Sequence, residues 1–394
     1  MPRRVLGTLC FAFLLALPPS LVRAEILAMM NYETKAASSL RTLRKPVAPM
    51  ERREGIAIMD VDPASANYGK IVQDIPLPNS LMAHHLFYNK DLSKVYVISL
   101  AKSTMHVIDM RQMPYTLVPI ETPGCAVQED MVFSDNGRLW YLTCMGTQNV
   151  VVGDAVQDKV LRNVALREPY PHGLAIHEGI DRMLTTSTVR PSDNGDAGDA
   201  IAVTELSTGK QLASIRVSGK AAPGRDAPVE ILFAPGTNPP AAYVTNLFGG
   251  ALWLLRWNPA TKNFDAKQAF DFSTVKAGVA LEIYFNASGD RLYVTTGKPG
   301  HLHIFDVSGG LDNPRLLKSI DAAEGAHHLA ITADDRYAYV DNALLNLPGL
   351  ADGSITVIDM VKGERIGSID TLKNAGFNPN CMILLPKWYQ AMGH

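Results

Sequence analysis

Cysteine is scarce in this chain: there are four in 394 residues, and one of them, Cys10, lies in an apolar N-terminal stretch. A disulfide-dense scaffold is excluded, and the three cysteines beyond Cys10 are too few for a metal site built of four thiolates. An excess of one charge is also missing. The 37 Lys and Arg against 39 Asp and Glu leave a net charge of -2. Without a basic surplus to neutralise phosphates, nucleic acid is not an expected partner. Beyond Ala24 no apolar run is long enough to span a bilayer, so no membrane span is expected in the mature chain. There is no phosphate-cradling loop of the G-x-x-x-x-G-K-[ST] kind, no G-x-S-x-G nucleophile turn and no H-E-x-x-H helix.

The chain starts like a signal peptide. Arg3 and Arg4 give a positive start, residues 5–17 are apolar but too short to span, and Val22-Arg23-Ala24 offers a cleavage site. Residues 1–24 are therefore expected to be removed, leaving a periplasmic or secreted protein that begins at Glu25. Residues 25–50 show no period and read as an N-terminal arm. Residues 51–394 read as one domain. In an oxidising compartment Cys125 and Cys144, which flank one predicted hairpin, either form a disulfide or remain two buried thiols. Cys381 is expected to be unbridged and near the centre of the fold.

What is abundant is repetition. An apolar triplet, a polar turn and a second strand recur along the chain, as in Met131-Val132-Phe133, Asp135-Asn136-Gly137 and Leu139-Trp140-Tyr141. The same order recurs at Ile283-Tyr284-Phe285, Ser288-Gly289-Asp290 and Leu292-Tyr293-Val294. The residues that precede the seven triplets are His85, Asp130, Gly173, Glu230, Glu282, His328 and Cys381, spaced by 45, 43, 57, 52, 46 and 53 residues. Repeats of about 40–50 residues with four short strands each are the pattern of a β-propeller. Extra strands around 55–75 match the outer half of a blade, and the last marker has few residues after it. The pattern predicts an all-β, seven-bladed β-propeller closed by N-terminal strands that complete the last blade; six blades with an appended hairpin is the alternative. Two polar insertions, 190–200 and 342–353, are predicted between second and third strands, on the face where the innermost strands begin.

Aligning the repeats also collects chemistry. The marker positions form one predicted ring at the channel mouth. The positions just before them, His84, Glu129, His172, Val229, Leu281, His327 and Asn380, form a second. Five of the ten histidines occupy these fourteen positions. Imidazoles and carboxylates converging on an axis suit copper, zinc, iron or nickel. The predicted metal ligands are His84, His85, His172, His327 and His328. Glu230 and Glu282 are the predicted catalytic carboxylates, as proton carriers or as braces for the imidazoles. Strand alternation predicts that only one member of each His-His pair faces the metal. Of the other histidines, His106 and His303 read as packing residues, His177 as solvated, and His301 as a residue that could reach a substrate.

Asp60-Val61-Asp62-Pro63, Ile75-Pro76-Leu77-Pro78-Asn79 with His84-His85, Pro228-Val229-Glu230-Ile231-Leu232-Phe233 and Asn313-Pro314-Arg315-Leu316 together resemble the selenium-binding protein and methanethiol oxidase family. Tyr243-Val244-Thr245-Asn246 is similar to the wider YVTN class of propellers. The resemblance implies a seven-bladed propeller, a copper cofactor, and oxidation of a small sulfur compound with electrons leaving to oxygen or an electron-acceptor protein. His84, His85 and Glu230 are the matching site positions. Phe87-Tyr88-Asn89-Lys90-Asp91 departs from the family's cysteine-containing segment after the His-His pair, which speaks against selenium binding. A non-catalytic propeller that binds a metal or a partner in the cell envelope is the alternative.

Overall fold

The computed structural model describes residues 25–37 and 50–391. The expected signal peptide, 1–24, lies outside the described residues, and so does much of the expected arm. Seven sheets of four antiparallel strands are arranged as blades, each with its innermost strand at the axis. The innermost strands of blades 1 to 7 are Ala83–Tyr88, Gln128–Phe133, Pro171–His177, Pro228–Phe233, Gly278–Phe285, Ala326–Ile331 and Phe377–Leu384. Turns fall where the sequence places residues that accept a left-handed backbone: Gly137 at φ 67° and Gly289 at φ 69° each close a hairpin between first and second strands.

Each blade is covered on both faces, because side chains along a strand alternate between the preceding and the following neighbour. Met29, Ile56 and Ile58 of blade 7 pack against Leu86 and Val97 of blade 1. Ala28, Met30, Ala57 and Met59 turn the other way, to Tyr339 and Val357 of blade 6. Among the described residues there are seven such apolar clusters, one for each interface between successive blades. Buried tyrosines of second strands add polar ties. The Tyr96 hydroxyl donates to Asp158 at 2.6 Å and that of Tyr243 to the Leu311 carbonyl at 2.6 Å, each in the next blade.

The ring is closed by both ends of the chain, with one correction to the sequence reading. Glu54–Asp60 and Ile71–Leu77 are the outer strands of blade 7, as expected. The segment read as the start of an arm is a strand, Leu27–Thr34, which lies between Phe377–Leu384 and Glu54–Asp60. It was missed because its apolar residues, Met29, Met30 and Tyr32, are separated from the blade repeat by a long polar stretch. Both insertions emerge where expected: Ser187, before the first, pairs with Pro171, and Asn342, at the start of the second, pairs with Ala326.

Cys125 and Cys144 form a disulfide, and Cys381 is free and buried. The bridge closes a loop with a sequence separation of 19. A loop of that size stabilises the fold by about 3 kcal/mol in the chain-entropy account. Reduction should therefore lower the melting temperature, while Cys381 stays unmodified by alkylating reagents until the protein unfolds. An unchanged melt in reductant would contradict the assignment.

Candidate metal centre

Each innermost strand carries a β-bulge at the ring positions. In blade 1 Ala83 pairs with Ser99 but Leu86 pairs with Val97, so His84 and His85 together oppose one residue. The same shift places Glu129 with Asp130, His172 with Gly173, Val229 with Glu230, Leu281 with Glu282 and His327 with His328. Blade 7 has its irregularity at Asn380. A bulge re-aims side chains and overrides alternation. The expectation that only one member of each His-His pair faces the site is therefore corrected. The rings of His84 and His85 stack at 3.8 Å, and those of His327 and His328 lie 4.1 Å apart.

The residue opposite the bulge holds it in place. Thr143 and Thr186 accept the N–H of Asp130 and Gly173 at 2.9 and 2.8 Å. Their hydroxyls then donate to the carbonyls of His172 and Val229 in the next blades at 2.6 and 2.7 Å. Thr245 repeats the pattern between Glu230 and Leu281. In blade 6 an aspartate stands at this position, and Asp341 Oδ1 accepts the N–H of His328 at 3.3 Å. Thr295 likewise accepts the N–H of Glu282 at 3.2 Å. These threonines were not singled out in the sequence, although Thr143, Thr186 and Thr295 recur there thirteen residues after Asp130, Gly173 and Glu282.

The bulges bring all five predicted histidines to one buried place. Two groups of three donors have ligand atoms within 4.8 Å of one another: His85, His327 and His328 form one, and His84, Glu129 and His172 the other. The groups adjoin, since the His85 ring lies 3.8 Å from that of His84 and 6.4 Å from that of His172. Glu230 Oε1 meets His172 Nδ1 at 3.0 Å, and Glu282 Oε1 meets His327 Nε2 at 3.0 Å. Both carboxylates are buried, and each contacts one imidazole of the cluster. Glu129, not among the predicted ligands, lies between His84 Nε2 at 3.1 Å and His172 Nε2 at 3.4 Å. Tyr284 adds a hydroxyl 3.3 Å from His328 Nδ1 and accepts the Leu329 N–H at 3.1 Å.

The other described histidines lie outside this group. His303 is buried between Thr296 and Ser319, and His106 packs in the third strand of blade 1. His177 packs edge-on against Phe233 at 5.2 Å, so it is less solvated than the sequence implied. His301 is engaged by the Pro299 carbonyl at 3.1 Å and Asp321 at 3.2 Å in the third strand of blade 5, away from the axis, so the suggested reach to a substrate is not seen.

Burial and charge oppose each other in the cluster. Burial lowers the pKa of His84, and the attraction of Glu129 offsets this only in part. At His172 burial also favours the neutral ring, but Glu129, Glu230 and Glu282 outweigh it and push the pKa up to about 9. Burial raises Asp341 to about 8. The donor set fits a transition metal: imidazoles with one carboxylate are borderline ligands, His172 giving up its proton when it binds, and the buried His84 Nδ1 has no hydrogen-bond partner in the protein.

The pH dependence of metal-free protein follows from these shifts. Between pH 6.5 and about 9 folded His172 keeps a proton that the unfolded chain has released, so stability falls as pH rises through that window. Asp341, raised from 3.8 to about 8, changes stability in the same direction up to its own folded value. Urea unfolding of chelator-treated protein should show a loss of ~5 kcal/mol from pH 6.5 to 9, ~3 of it from His172 and ~2 from Asp341. Glu230→Gln should reduce this loss without abolishing it, since Glu129 still acts on His172, and stability that rises across this range would refute the assignment.

No family model matches the sequence, and no curated protein matches it either. Solved structures do match. A hypothetical selenium-binding protein from Sulfolobus tokodaii is 15% identical, with 93% of this chain and 94% of that chain covered and a TM-score of 0.73. A periplasmic gluconolactonase from Pseudomonas aeruginosa is 12% identical, covering 91% and 99% with a TM-score of 0.62. A putative 6-phosphogluconolactonase from Bacteroides fragilis is 15% identical, covering 93% and 99% with a TM-score of 0.59. What this chain shares with them is the propeller fold. At such identities the likeness carries no activity from one protein to another.

Proposed function

We propose that this chain is an exported, copper-dependent oxidoreductase that acts on a small sulfur compound. The observation that carries the reading is the convergence of five imidazoles from blades 1, 3 and 6, with Glu129, as two adjoining groups of three donors. His85, His327 and His328 would hold one ion, and His84, Glu129 and His172 a second. Copper, when bound, would supply the one-electron chemistry that no side chain here provides. The protein's own groups do the rest. Glu230 and Glu282 fix the tautomer and orientation of His172 and His327. A carboxylate oxygen of either takes the proton that a thiol gives up. Electrons leave to oxygen or to an electron-acceptor protein. Export is supported by the N-terminal pattern and by the Cys125–Cys144 disulfide, which persists in oxidising compartments. The match of His84, His85 and Glu230 to the methanethiol oxidase pattern supports the substrate class.

The test is metal analysis of protein from copper-supplemented cells, purified without chelators, together with thiol-dependent oxygen uptake. Stoichiometric copper with turnover is expected. Glu230→Gln and Glu282→Gln should keep most of the metal but lower turnover by about 100-fold. Copper without turnover on any small thiol would replace the enzyme with a metal-binding scaffold, and protein without stoichiometric transition metal would end both readings.

A further inference from the structure

Below the histidine cluster the axis of the propeller opens into a cavity of about 520 Å³. Its walls are the far halves of the innermost strands. Its mouth lies among the hairpin tips that carry Asn89, Asp135 and Asn286, on the face opposite the two insertions. The strand period explains the chemistry of the wall. Two residues on from the marker ring, each blade contributes one side chain from the same side of its strand. These are Phe87, Val132, Ala175, Leu232, Tyr284, Ala330 and Ile383, and all seven line the cavity. Six are apolar. The seventh, Tyr284, spends its hydroxyl on His328 and on the Leu329 N–H.

The cavity meets the metal centre at two residues. Asp130, a member of the marker ring, lines it, and Asp130 Oδ2 accepts the Leu174 N–H at 2.6 Å. Tyr284 lines it as well and contacts His328. Both are engaged within the protein, Asp130 Oδ2 by the Leu174 N–H and the Tyr284 hydroxyl by His328 and the Leu329 N–H. The one cationic side chain in the wall, Lys90, belongs to a hairpin tip at the outer rim. The C-terminal segment narrows the mouth. Tyr389 packs on Tyr88 with ring centroids 4.6 Å apart, and Gln390 Nε2 donates to the Thr332 carbonyl at 3.1 Å and to Asp335 at 2.9 Å.

We propose that this channel binds a small, neutral, predominantly apolar molecule and admits it to the histidine cluster from the face opposite the insertions. Its volume lies in the range of small-molecule sites, about 300–1,000 Å³. An ionic guest would lose most of its hydration within the apolar collar, a cost of several kcal/mol. A neutral apolar guest gains by the same burial. The access half of this inference rests on the metal-centre reading; the binding half does not.

Xenon is the direct probe of the binding half, because apolar cavities take it up while polar channels hold ordered water. Crystals of the full mature protein under xenon pressure should show xenon within the collar of Phe87, Val132, Leu232 and Ile383. A file of ordered waters there, without xenon, would overturn the binding site. For access, Ala330→Leu and the milder Ala175→Val narrow the bore without touching a ligand. With methanethiol as the probe substrate, Ala330→Leu should raise KM about tenfold, more than it lowers kcat, at wild-type copper content. Xenon bound in the wild type with an unchanged KM in both variants would overturn the access route. If the protein turns over no thiol at all, the proposed oxidase activity and the access route both fall, while the xenon result still decides whether the channel is an apolar binding site.

Discussion

On the proposed copper reading, the His327→Ala protein should lose its metal, from stoichiometric to near zero. His327 shares a donor group with His85 and His328, and its ring lies 6.4 Å from that of His84 in the adjoining group. Removing it leaves two donors in its own group. It also leaves Glu282, which is fully buried, without its nearest imidazole. Loss of an outer partner alone costs about 10–100-fold in metal affinity, and loss of a direct donor costs more. The same change weakens the fold, since a buried carboxylate deprived of its partner costs about 3–5 kcal/mol. His85→Ala is the companion test: His85 belongs to the same donor group, and its ring stacks on that of His84 at 3.8 Å. It should lose the metal as well. His106→Ala, in the third strand of blade 1, should lose neither. Metal analysis and thermal melts of the three proteins decide the matter. Stoichiometric copper in both His85→Ala and His327→Ala would remove these residues from the site.

The blade period was legible because a propeller repeats its local solution seven times. Apolar triplets, Gly-containing turns and second-strand tyrosines all answer to nearest-neighbour packing, which leaves a mark at a fixed spacing. The convergence of His84, His85, His172, His327 and His328 was legible for the same reason: once the blades align, the ring positions follow. What alternation could not give is the direction of each side chain. A bulge is set by hydrogen bonds between strands, here by Thr143, Thr186 and Thr245 across from it, and the bulged strand itself shows no sign of it. Two consecutive residues then face the axis together, and Glu129 arrives beside His84 and His172 as a sixth donor. The strand Leu27–Thr34 was hidden for a different reason. It belongs to a blade assembled from both chain ends, so its partners are Cys381 and Ile56 rather than its sequence neighbours.

A chain that begins at Met50 should fail to fold, while one that begins at Glu25 should be stable. The expected cleavage after Ala24 would leave the strand Leu27–Thr34 intact. Loss of 25–37 would strip blade 7 of its second strand, leaving Phe377–Leu384 and Glu54–Asp60 with facing edges unpaired. Ile26, Met29, Met30 and Tyr32 are almost wholly buried, and they supply apolar contacts to both flanking blades. At about 1.5–3 kcal/mol for each buried side chain, their removal costs ~6–12 kcal/mol. That matches the whole net stability of an ordinary domain, about 5–15 kcal/mol. The closure also ties down the C-terminal segment, because Trp388 Nε1 donates to the Glu25 carbonyl at 2.9 Å and the Leu385 N–H to the Leu27 carbonyl at 2.8 Å. The shortened protein should therefore show no cooperative thermal transition. A synthetic peptide of residues 25–37, added in excess, should restore one by adding its strand to the open blade. A shortened chain that melts within a few degrees of the longer one would show that the ring does not depend on this strand.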